Sequence, residues 1–482
     1  MKRSSSETFI VELPVSVNGK TEKQLSARLL AGTRLYNATL GEALKRLDLM
    51  RQSKRWQAAR LLSDKERGRE FKAICAQFGF TSASVSSFAT ACKNGAGWQN
   101  RLSANETQRI AETAFSAVEQ YSYGKRGRPR FKNRNRPLKS FTGKKNTTGI
   151  RYRGELGVVE WAGLILPVKY PPSGKDLWLE EALTHETKFS RLLWRKVKGK
   201  RRWFVQLAQK GQTPIKEENT TRDGELVGLD LGPSSVAIVS ERKANLVAFC
   251  PSIKQPWKEM RRLQRAMDRS KRSNNPQCFH EDGTWRKGTR MTKFSKRYLS
   301  LKEALFEAER KLASERNRSH GELVNSVIRL GNVVKTEKLS YRAWQKNFGK
   351  SIKVKAPAAF VSELKRKAER AGGKFIELNT QKLKMSQYDH VTGTYQKKSL
   401  NDRWHILGRV TVGDVTLVQR DIYSAFLALC CDVNEHQSSD LINKWAVVRE
   451  LLEQADWMRK LKVASGETIV LPTVKPSERL AC

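Results

Sequence analysis

Three acidic residues of this chain, Asp230, Glu337 and Asp421, stand where their chemistry could matter, the first two at the cost of placing a carboxylate in an apolar run. Asp230 interrupts Val227-Gly228-Leu229-Asp230-Leu231-Gly232, an otherwise apolar, strand-like run. An ionised side chain buried there without a partner is strongly unfavourable, so it either faces water at an edge or binds a cation. Glu337 closes a second run of this kind, Val333-Val334-Lys335-Thr336-Glu337. Asp421 follows Gln419-Arg420 and precedes Ile422, Ala425, Phe426 and Leu429, whose spacing is helical, so it sits in the first turn near a favourable dipole. Taken singly, each is an ordinary strand-end or helix-start acid. Brought together, three carboxylates repel one another and need divalent cations, and Mg²⁺ and Mn²⁺ are the ions that prefer oxygen ligands. Two such ions about 3.5–4 Å apart activate a water and stabilise the leaving oxygen of a phosphodiester.

The elements that must position these acids are those of an α/β domain. Strand-like runs at 226–231, 236–239 and 246–249 form a meander, and long basic helices follow at about 256–270 and 292–330. A strand at 332–334, a helix from Pro357 to Gly372-Gly373 and a strand at 375–378 complete the series. An acid on the first strand, a second ending the fourth and a third opening a late helix match the layout of an RNase H-like fold, where the three points meet at one end of the sheet. Upstream, a short strand at 9–13 precedes helices that fill about 18–122, with Leu25, Leu29, Tyr36, Leu40, Leu44 and Leu47 on one face and a capping box at Ser103 and Glu106. Short β-like runs at 158–161, 164–167 and 203–207 predict a small β-barrel, completed by the N-terminal strand. The final segment, 438–462, has Leu441, Trp445, Val448, Leu451 and Leu452 at helical spacing and predicts one amphipathic helix.

The chain of 482 residues suffices for two to four domains. Its 92 Lys and Arg against 48 Asp and Glu give a net charge of +44, which calls for a polyanionic partner. No run of about 18 apolar residues occurs and the first residues lack the apolar stretch of a signal peptide, so nucleic acid is expected rather than a membrane, in the cytosol. The seven cysteines form no CxxC pair and read as reduced thiols. The segment 124–137 contains no acid and is broken by Gly and Pro, so it reads as an extended basic loop whose Arg126, Arg128, Arg130, Lys132, Arg134 and Arg136 contact phosphates. Arg403 and Arg420 flank the acids and either orient a scissile phosphate or pair with a neighbouring acid.

Three motifs, Gly228-Leu229-Asp230-Leu231-Gly232, Val334-Lys335-Thr336-Glu337-Lys338-Leu339 and Gln419-Arg420-Asp421-Ile422-Tyr423-Ser424-Ala425, together with Gly127-Arg128-Pro129-Arg130-Phe131-Lys132, carry a family resemblance. The chain resembles transposon-encoded TnpB proteins and the compact type V CRISPR effectors, whose nuclease is of the RuvC type. The resemblance runs over about residues 7–434. It implies a bilobed multidomain effector with a wedge-type β-barrel at 1–17 and 140–215 and a helical recognition lobe with the basic loop at 18–139. A RuvC-like domain would occupy 216–384 and 415–436, with a zinc-ribbon-like insert at 385–414 and a C-terminal helix and tail at 437–482. The implied activity is RNA-guided DNA cleavage, with guide RNA and target DNA as partners, Mg²⁺ or Mn²⁺ at Asp230, Glu337 and Asp421, and a prokaryotic cytoplasm as the setting. A guided DNA-binding protein with little or no cleavage is the alternative. Relatives carry two CxxC pairs in the insert. Here the matching stretches, around Asp389-His390 and Trp404-His405, have no thiolate, so no zinc is expected.

Overall fold

The computed structural model describes residues 7–133, 136–253, 256–397, 399, 402–408 and 413–463. Arg134 and the tail after 463 lie outside the described residues. The chain divides into two units, residues 1–214 and 215–482.

In the first unit β1 (Thr8–Val15) alternates outward and inward residues, burying Phe9, Val11, Leu13 and Val15. Helices α1 (Gly19–Gln52), α2 (Lys54–Ala59), α3 (Asp64–Gln77), α4 (Ser82–Gly95) and α5 (Ala104–Ser122) follow. The stripe of α1 from Leu25 to Leu47 is buried as its spacing predicts. At the start of α5 the Glu106 carboxylate accepts from the Ser103 N–H at 2.8 Å. After the basic loop come β2 (Ser140–Thr142), β3 (Ile150–Arg153), β4 (Val158–Trp161), β5 (Leu164–Pro167), α6 (Leu177–Thr184), β6 (Thr187–Val197) and β7 (Lys200–Lys210).

The small β-barrel predicted for this region is not closed. Among the described residues its strands form a four-stranded sheet ordered β1-β7-β6-β2 and a separate three-stranded sheet, β3-β4-β5. They meet at one bridge, Val15 to Val168, flanked by the Ser16 N–H on the Pro167 carbonyl and the Lys169 N–H on the Pro14 carbonyl. Pro14 and Pro167 have carbonyls to offer and no N–H, which stops the junction from growing into a ladder.

The second unit is built on a five-stranded sheet ordered β10-β9-β8-β11-β12, from β8 (Leu226–Leu231), β9 (Ser235–Val239), β10 (Ala244–Ala248), β11 (Val333–Glu337) and β12 (Lys374–Leu378). The meander pairs antiparallel, while β8, β11 and β12 run parallel. Long helices α7 (Pro256–Asn274) and α8 (Lys296–Ile328) connect β10 to β11. Two more, α9 (Tyr341–Lys355) and α10 (Pro357–Arg370), connect β11 to β12. Val227, Leu229 and Leu231 share a core with Val324, Val327 and Ile328 of α8 and Phe360 and Leu364 of α10. The opposite face takes a helix from much later in the chain.

After α11 (Thr380–Leu383) comes a hairpin, β13 (Tyr388–Asp389) and β14 (Thr394–Tyr395), then β15 (Trp404–Leu407) and β16 (Gly413–Gln419). Helices α12 (Arg420–Cys430) and α13 (Ser438–Gln454) and strand β17 (Met458–Val463) end the described chain. The amphipathic helix predicted over 438–462 therefore stops early. A turn at Ala455 and Asp456, the latter at φ +57°, reverses the chain, and β17 adds antiparallel to β16.

Candidate functional site at the carboxylate end of the sheet

Helix α12 is buried along its length from Ile422 to Cys430 and lies on the sheet face opposite α8 and α10. Gly228 is what lets it approach. A Cβ there would fall 2.1 Å from the Ala425 carbonyl oxygen and 2.6 Å from the Leu429 nitrogen, a clash with backbone that nothing relieves. Because strand side chains alternate, Asp230 shares this face with Gly228, two residues on. In the parallel pairing of β11 with β8, Lys335 stands opposite Gly228 and Thr336 opposite Leu229, so Glu337 is level with Asp230 on the same face. Asp421, one helical turn before Ala425, begins the helix that covers them. The sequence-predicted acids thus lie at one end of one sheet face.

Their electrostatics agree with that placement. Burial pushes the Asp230 carboxyl well above the usual carboxylate range, and the charges of Asp421 and Glu337 push it further, with Arg420 opposing. Burial also raises Glu337 to about 7. Asp421 faces Arg420 Nη2 at 3.4 Å and Arg403 Nη1 at 3.7 Å. Arg420 is fixed in turn by its N–H on the Arg403 carbonyl at 2.9 Å and its Nη1 on the Ser399 carbonyl at 3.2 Å. Both arginines thus stand against the Asp421 carboxylate.

Lys335 was not foreseen as part of the arrangement. It is buried, and its ammonium donates to the Cys431 carbonyl at 2.8 Å, placing a cation at the C-terminal end of α12. Gln419 closes the other end, its side-chain oxygen accepting from the Ile422 N–H at 2.7 Å. The signal for Gly228 was in the sequence, since a glycine inside an apolar strand marks a close backbone approach. Lys335 gave none, because a lysine late in a strand is ordinary.

As a donor set the acids suit a hard divalent ion: all ligands are oxygens, and the charge that destabilises Asp230 is what a dication would neutralise. Among the described residues, though, no three His, Cys, Asp or Glu side chains are gathered closely enough to ligate an ion.

The nucleic-acid candidates of the first unit sit on the loop after α5. Arg126, Arg128, Arg130 and Arg136 are exposed, and Lys132 is half-buried with its ammonium 5.3 Å from the Tyr36 ring centre. Arg128 also faces Asp48 at 3.4 Å.

In the hairpin insert, His390 and His405 are held by protein contacts. His390 Nδ1 lies 2.7 Å from the Tyr423 hydroxyl, and the buried His405 ring packs 4.8 Å from the Tyr423 ring. Asp389 accepts from the N–H groups of Val391 at 2.9 Å and Gly408 at 2.8 Å, tying the β13–β14 turn to the end of β15.

No helix among the described residues is long and apolar enough to cross a membrane. No family profile matches the chain, and no curated protein is found similar to it. Among solved structures it is similar to a Cas12f1–sgRNA–target DNA complex, at 12% identity and a TM-score of 0.44 over 88% of this chain and 98% of that one. It is also similar to a CRISPR-Cas12f ternary complex, at 13% identity and a TM-score of 0.27 over 79% of this chain and 75% of that one.

Proposed function

We propose that the chain is an RNA-guided DNA endonuclease with a RuvC-type, RNase H-like nuclease site at Asp230, Glu337 and Asp421. The observation that supports this reading is that Asp230 and Glu337 stand level on the sheet face beneath α12, whose first turn carries Asp421, with Asp421 and Glu337 both close enough to act on Asp230. Those three residues would hold Mg²⁺ or Mn²⁺, which supplies charge neutralisation and an activated water for phosphodiester hydrolysis. The chain's own contribution is to fix the acids: Gly228 admits the helix, Gln419 and Lys335 satisfy its two ends, and burial keeps bulk water from weakening the field. The basic loop and the net charge of +44 suit a guide RNA and target DNA held through their backbones, with base pairing supplying specificity.

A second reading, a guided DNA-binding protein with little cleavage, is favoured by one observation. Arg403 and Arg420 both face Asp421, and the acids are not drawn into a ligand set.

The test is to sequence the RNA that co-purifies with the protein, load the protein with it, and challenge a plasmid library in Mg²⁺. The nuclease reading expects cut targets next to a short shared motif, and Asp230→Ala to abolish cutting while guide and target binding stay nearly unchanged. Specific target binding without cutting by the unaltered protein would select the second reading.

A further inference from the structure

The basic loop is strapped along α1 by a stripe of residues spaced about one helical turn apart. The Leu138 N–H donates to Thr33 Oγ1 at 3.1 Å, and Asn37 brackets Lys132, accepting from its N–H at 2.8 Å and donating to its carbonyl at 2.9 Å. Next along the stripe, Phe131 rests against Gly41, where a Cβ would touch its ring at 3.7 Å. Arg128 then pairs with Asp48 at 3.4 Å. The described part of the loop runs antiparallel to α1 and is held to it at these points, while Arg126, Arg130 and Arg136 are exposed.

Between Gly41 and Asp48 the strap leaves an open groove of about 360 Å³, lined by Leu44, Lys45, Leu49, Gln52, Arg128 and Phe131. Phe131 is 52% exposed and Leu49 47% exposed, the one beside the Lys132 backbone that Asn37 brackets and the other within α1. A rigidly backed, half-open aromatic ring between two cations has the composition of a base-stacking platform: the ring takes the π-face and Lys45 and Arg128 take the flanking phosphates. An apolar protein partner would place Lys45 and Asp48 in its interface core, where both residue types are depleted.

Resting on the nucleic-acid reading above, we infer that this groove seats one unstacked nucleobase of single-stranded nucleic acid on Phe131. Stacking on a lone ring is insensitive to base identity, so the site grips a strand without reading it.

The experiment measures binding of the full-length protein to a 12-nucleotide oligouridine RNA, and to oligothymidine DNA of equal length, across a salt series. Phe131→Leu keeps the apolar contact with Gly41 and removes the π-face. It is expected to weaken binding about tenfold with an unchanged salt slope, and Phe131→Tyr and Phe131→Trp to restore it. Lys45→Gln should lower the slope by about one contact. A preference for one of the two oligomers identifies the strand that the groove serves. Phe131→Leu binding as tightly as the parent protein overturns the inference, as does a loss of self-association in that variant with affinity for both oligomers intact. If the parent protein binds neither oligomer, the nucleic-acid reading itself fails.

Discussion

Asp230 and Asp389 are both carboxylates set into the second unit, and their surroundings are opposite. Asp389, in the hairpin insert, accepts from two backbone N–H groups that would otherwise be unpaired. Asp230, at the end of the central sheet, is driven to keep its proton by loss of solvation first and by the charges of Asp421 and Glu337 next, with Arg420 opposing. A carboxylate paired with N–H donors stabilises a fold. One crowded by other carboxylates costs stability, and it persists where it serves a function. The contrast is why the sheet end, rather than the insert with its two histidines, is proposed as the nuclease site.

The difference predicts opposite consequences for similar substitutions. Asp230→Asn should lower guided cleavage by about a thousandfold or more, since a ligand carboxylate is lost. The same substitution should raise stability in chelator by about 1 kcal/mol, because like-charge repulsion is relieved; a lower urea midpoint would break the comparison. Asp389→Ala should cost about 3 kcal/mol, because two N–H groups lose a charged acceptor. Its measure is the urea midpoint, together with hydrogen exchange at Val391 and Gly408.

The two regions should also respond to pH in opposite directions. Glu337 is raised from an ordinary 4.5 to about 7, so between those values the unfolded chain has released a proton that the folded protein retains. Stability then falls as pH rises from about 4.5 to 7, by up to about 3 kcal/mol, and Glu337→Gln in chelator should abolish that loss. His390 is lowered from its ordinary 6.5 by burial, with the Asp389 charge partly opposing. Here the unfolded chain binds the extra proton, so this contribution to stability is lost as pH falls below 6.5, and hydrogen exchange in the insert should accelerate in acid while the central sheet does not. A smaller effect than at Asp389 or Glu337 is expected at Lys335. Lys335→Met should cost about 1–2 kcal/mol by leaving the Cys431 carbonyl without its cation, read as a lower urea midpoint.

Much of this arrangement was legible in the residues. The meander, the two parallel strands after it and the helix at Asp421 follow from period-2 and period-3.6 patterns that the packing keeps, and the three acids stood out because each broke such a pattern. What stayed hidden depends on pairing between distant segments. Nothing local distinguishes a closed barrel from two sheets stopped at Pro14 and Pro167. The strand at Met458–Val463 looks helical until β16 is there to pair with it. The exposed ring of Phe131 gains meaning only when Gly41 lies beneath it.

On the proposed function, Asp230, Glu337 and Asp421 together hold divalent cations. Titrating Mn²⁺ into the guide-free protein, followed by the paramagnetic signal of the free ion, tests it without requiring cleavage. The account predicts saturable binding that is lost in Asp230→Ala, Glu337→Gln and Asp421→Asn alike, with each variant still folded. Binding that survives in all three variants would contradict it.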